Sequence, residues 1–143
     1  MNQNQRKFFI KRIEELARDK KCELENARAK ECASLISIRD RVVAYMKTYP
    51  EKAAKDLYVA AKEAVASNRT YPEVHLYGDD WVPSFFKRIR AEFQKDESAI
   101  NAAYEEKFDK VQAEKKKVID RAYFEELPAE FLKLLEKFEA FKV

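Results

Sequence analysis

Apolar residues in this chain recur at intervals of three and four, the period of helices with one buried side. Between Asn4 and Tyr49 there is neither proline nor glycine. Within that stretch Leu35, Ile38, Val42, Tyr45 and Tyr49 follow one another at three, four, three and four residues. Such a seam faces a partner helix. Upstream, Phe9, Ile13, Leu16, Ala17, Leu24 and Ala27 make a weaker stripe, interrupted by the polar run Arg18-Asp19-Lys20-Lys21. The pattern predicts one helix over about 5–48, the competing reading being a break near 29–34. Unbroken, such a helix would exceed about 60 Å in length.

Pro50 closes this element and can open the next, since proline fits the first helical turn. Residues 51–67, rich in Ala, Lys and Glu, predict a short helix whose inner side is Ala53/Ala54, Leu57, Ala61 and Ala64/Val65. The stretch from Tyr71 to Trp81 has no helical phase and reads as an ordered loop at about 69–80, anchored by its own rings. Asp80 is placed to cap the following helix. From there Phe86, Ile89, Phe93, Asp96, Ile100, Tyr104, Phe108, Val111 and Val118 keep helical phase and predict a second long helix over about 81–123. Residues 112–117 interrupt the apolar stripe and should be solvated. Pro128 opens a last helix, 128–141, whose Phe131, Leu132, Leu134, Leu135, Phe138 and Phe141 form a face wide enough to bury. The expected fold is all-α: an elongated helical bundle in one domain, 1–143, with two long antiparallel helices and two shorter ones.

Composition supports long helices. Charged residues are 38% of the 143, against about 25% in ordinary domains, and there is one glycine. The 10 Phe and 7 Tyr argue against a disordered chain, which would be poor in rings. The net charge of +3 comes from the first third, where residues 1–50 hold twelve basic and seven acidic side chains. Cys22 and Cys32, ten positions apart on one helix, would lie about 15 Å from each other, too far for a disulfide, and read as free thiols in a reducing compartment. A polar, basic start and the lack of any long apolar run point to the cytoplasm (a host's cytoplasm for a viral protein) and to no membrane association.

Chemistry is hard to assemble from these residues. A single glycine rules out phosphate-binding and dinucleotide loops. His75 is the only histidine, and the Glu pairs at 14–15, 105–106 and 125–126 have no histidine at the spacing a helical metal site uses. The expectation is no enzyme, no cofactor and no metal. Two surfaces remain as candidates for recognition. One is the aromatic segment and the basic residues after it: Tyr71, Tyr77, Trp81, Phe85, Phe86, Lys87, Arg88 and Arg90, a mixture typical of protein hot spots. The other is basic: Arg6, Lys7, Lys11, Arg12, Arg18, Lys20 and Lys21, with Lys115, Lys116, Lys117 and Arg121, suited to nucleic-acid phosphates. The leading expectation is a non-enzymatic module that binds another protein, as an inhibitor, adaptor or assembly factor. A homodimer and a viral source are both compatible with it. The alternative is an accessory protein on nucleic acid.

Overall fold

A computed structural model describes residues 2–67 and 82–143 of the chain. Among them are the helices α1 (Gln3–Ser34), α2 (Ile38–Thr48), α3 (Pro50–Ser67), α4 (Ser84–Phe124) and α5 (Pro128–Ala140). The all-helical class is as the periodicity predicts, and the two long helices are α1 and α4.

The continuous helix expected over 5–48 is instead two helices. Local hydrogen bonding explains the break at Leu35–Ser37. Ser37 is the N-cap of α2, its Oγ accepting from the Asp40 amide at 3.1 Å, and Asp40 adds a negative charge to the first turn. Arg41 folds back, its Nε donating to the Ile36 carbonyl at 2.8 Å. The apolar seam survives the interruption, because Ile38, Val42 and Tyr45 of α2 all remain half-buried.

The helices form two compact units, Met1–Ala33 with Ala99–Val143, and Ser34–Ser98. In the first, α1 runs antiparallel to the C-terminal part of α4. Arg6 meets the end of α4 near Tyr123, whereas Arg28 pairs with Glu105 at 3.5 Å and lies over the Phe108 ring. The core joins Ile13, Leu16 and Ala17 of α1 to Val118 and Ala122 of α4 and to Phe131 and Phe138 of α5. Phe131 and Phe138 sit seven residues apart, two turns along one face, which directs both rings inward. Phe9 packs on Phe131 with centroids 5.0 Å apart, so the last helix buries its rings beside the start of the first. Tyr104, Val111 and Val118 of α4, also at seven-residue intervals, are all buried.

In the second unit α2 and α3 pack with the beginning of α4. Ala53, Phe85 and Ile89 are buried there, with Ile38, Val42, Tyr45 and Phe86 around them. Tyr45 and Phe85 stack at 4.8 Å with planes 15° apart. The start of α4 differs from the expected one at 81: the helix begins at Ser84, and the Phe85 amide donates to Asp56 Oδ2 of α3 at 2.8 Å. A carboxylate remote in sequence thus satisfies one of the free amides of the first turn.

Helix α3 is also turned differently from its expected orientation. Ala53 and Ala60 are the buried residues, while Ala54, Leu57, Ala61 and Val65 from the anticipated inner face are exposed. The helix carries two apolar stripes. The narrow one, on which Ala53 meets Phe85 and Ile89, faces inward, since small side chains let helices approach closely. The broader stripe is left outside.

Candidate interaction surfaces

The residues singled out around the aromatic segment have divergent fates. Tyr71, Tyr77 and Trp81, like His75 and the loop expected at 69–80, lie outside the described residues. Phe85 is 3% exposed and belongs to the core of the second unit, with Phe86 half-buried against it. Arg88 stands over the Tyr45 ring at 5.2 Å and Arg90 over Phe86 at 5.8 Å, contacts that tie α4 to α2 and stiffen α4 itself. Lys87 is exposed. Of the described members of this set, the aromatic ones serve packing.

The outward stripe of α3 has the opposite character. Tyr58 is 67% exposed and Val65 75% exposed, and together with Ala61, Lys62 and Ala66 they line a shallow groove. Residues 58, 61, 62 and 65 lie on one side of a helix, at the spacing by which one helix reads another. Lys55 and Lys62 stand three residues before and four after Tyr58, both exposed. The sequence signal for this surface is the double apolar stripe on an alanine-rich helix, where periodicity identifies the faces without saying which one is covered.

The basic residues are divided between structure and surface. Arg6 donates to the carbonyls of Tyr123 (2.6 Å) and Glu125 (3.0 Å) and pairs with Glu126 at 3.2 Å, closing the end of α4. Lys20 Nζ donates to the carbonyls of Glu139 (3.0 Å), in the last turn of α5, and Phe141 (2.8 Å), just beyond it, and lies over the Phe138 ring. Arg12 pairs with Glu15. Lys7 and Lys11 line one shallow groove with Glu14, and Arg121 another beside α5. Lys116 and Lys117 are exposed. Arg18, Lys21 and Lys115 come together in a groove between α1 and α4, where Glu14 and Asp109 also lie. The antiparallel pairing therefore gathers three of the eleven, and two carboxylates offset their field.

Arg6 provides a test of this division of labour. Its bonds to two backbone carbonyls are charge-assisted, and such bonds contribute about 1.5–3 kcal/mol each when a partner is removed. Arg6→Ala should lower stability by roughly that amount in urea unfolding, whereas Lys116→Ala should leave it within about 0.5 kcal/mol. Equal, small effects for both would show that Arg6 is a solvated surface charge.

Among the described residues, Tyr104 has a shifted acidity. Burial, then the nearby Glu31 carboxylate, which also accepts its hydroxyl hydrogen bond, and finally Cys32 push its phenol above the ordinary value. The hydroxyl donates to Glu31, a structural bond between α1 and α4. Cys22 and Cys32 are free. Among the described residues no group of three or more His, Cys, Asp or Glu side chains is placed to hold a metal ion. Nor is any described helix long and apolar enough to cross a membrane.

No protein-family model, curated protein or solved structure matches this chain.

Proposed function

We propose that this protein is a non-enzymatic binding module that recognises another protein through the outward stripe of α3. The observation that carries the reading is the exposure of Tyr58 and Val65 on a helix that already buries Ala53 and Ala60 on its other side. A helix in a small domain needs one buried stripe, and a second apolar stripe in water is a cost that partner binding offsets. Tyrosine at the middle of such a stripe is a common anchor of protein interfaces. The competing nucleic-acid reading has less support, because Arg6 and Lys20 are engaged with helix ends and the groove that gathers Arg18, Lys21 and Lys115 also holds acids.

The test couples stability to capture. Tyr58→Glu and Val65→Asp should each change the stability of the purified chain by less than about 0.5 kcal/mol, as surface substitutions do. A photo-crosslinking residue in place of Ala61 should yield a discrete adduct with another protein in the cells that make this chain, and Val65→Asp should abolish it. If Val65→Asp lowers stability by several kcal/mol, the stripe is covered within the chain and the reading fails. It also fails if no adduct forms.

A further inference from the structure

We infer that the partner presented to α3 is an amphipathic helix whose apolar stripe is flanked by carboxylates. The inference rests on α3 being the recognition face and adds the chemistry of what it takes. Ala54, Tyr58, Ala61 and Val65 follow each other at four, three and four residues, the spacing of a seam that accepts one helix. One flank of that seam carries Lys55 and Lys62, seven residues apart and both exposed. The other flank is Leu57 and Ala64, without charge. Of the acidic residues of α3, Asp56 turns inward to the Phe85 amide and Glu63 shares its side of the helix, while Glu51 stands one turn before Lys55 on the lysine flank, in the first turn. The exposed seam is thus apolar, and beyond the first turn its charged border is positive.

That border decides between occupants. A second copy laid antiparallel on α3 would set the lysines of the two copies against each other, and a parallel copy would set each lysine beside Leu57 or Ala64. A shifted antiparallel register brings Glu51 of one copy to Lys62 of the other but leaves Lys55 without an acid across the seam, so neither arrangement satisfies both lysines. A helix with Glu or Asp beside its apolar stripe satisfies both lysines while covering Tyr58 and Val65, and like-charged competitors are rejected.

The experiment uses the full chain and two designed helical peptides, each with leucine on its stripe, one flanked by glutamate and the other by lysine. Fluorescence anisotropy should show the glutamate peptide binding at least tenfold more tightly than the lysine peptide. The double change Lys55→Glu and Lys62→Glu should reverse that preference, Val65→Asp should abolish binding, and Lys115→Glu in the other unit should change nothing. Equal binding of both peptides, still lost in Val65→Asp, would overturn the charge inference while leaving the α3 face intact. Failure of both peptides, together with dimers in sedimentation or with lysine-dependent binding to phosphatidylserine vesicles, would overturn it in favour of a second copy or a lipid surface. Failure of both peptides without either would overturn it as well.

Discussion

Replacing Phe138 with alanine should destabilise the protein by about 3–5 kcal/mol, the usual cost of emptying a buried aromatic site. The ring is 0% exposed and lies in one cluster with Ile13, Leu16, Val118 and Phe131. Helix α5 is short and brings two fully buried residues to that cluster, Phe131 and Phe138. Removing one ring therefore takes away one of the two fully buried anchors of α5, leaving Phe131 and the half-buried Leu134 and Leu135, and it also withdraws the face over which Lys20 sits while capping the last carbonyls. Neighbours can close only part of the resulting cavity, because the surrounding side chains come from three helices whose axes are already fixed by other contacts. The comparison is Leu132→Ala on the same helix, where the side chain is 52% exposed and the cost should stay below about 1 kcal/mol. Urea unfolding of both variants decides the matter. Against a total stability of about 5–15 kcal/mol, the first change is easily seen. Near-equal midpoints for the two variants would mean that α5 is not docked on α1 and α4.

Phe138 also shows why part of this fold is legible in the sequence. Phe131 and Phe138, Ile13 and Leu16, and Val111 and Val118 are large apolar residues at helical spacing, and nothing polar competes with them for the inner position. Where a helix has one such stripe, periodicity names the buried face. Helix α3 has two, and the stronger-looking one is outside. The decision was made by Phe85 and Ile89 of α4, which fit the narrow Ala53 edge, and pattern within α3 carries no information about that distant shape. The break at Leu35–Ser37 is hidden for another reason. Ser37 and Asp40 make an N-cap signature, but it lies inside an uninterrupted apolar seam that α2 continues. The basic residues show the same limit: sequence places Arg6 and Lys20 in a charge cluster, and only tertiary structure reveals that backbone carbonyls of α4 and of the segment ending α5 accept their hydrogen bonds.

Phe85 separates a structural aromatic from a recognising one. Phe85→Ala should destabilise the second unit by about 3–5 kcal/mol, with loss of the Tyr45 stacking accounting for about 0.5–1.5 kcal/mol of it. Of the buried residues described in that unit's cluster, Ala53, Phe85 and Ile89, it is the only ring. Its removal leaves Ala53 and Ile89 as the buried residues of that cluster, with the half-buried Ile38, Val42, Tyr45 and Phe86 around them, to join α2, α3 and α4. Native-state hydrogen exchange should then show amides of α2, α3 and the first turns of α4 losing protection, since their opening is limited by this cluster. Phe85→Leu, which keeps most of the volume, should restore much of it. The two variants also bear on function. If α3 recognises its partner with Tyr58 and Val65, a folded Phe85→Leu chain binds a helical peptide as well as the parent does, while Val65→Asp folds normally and does not bind. A Phe85→Leu variant that stays fully protected in exchange yet loses binding would move recognition from the α3 stripe to the start of α4, where the arginines Arg88 and Arg90 lie over rings of their own.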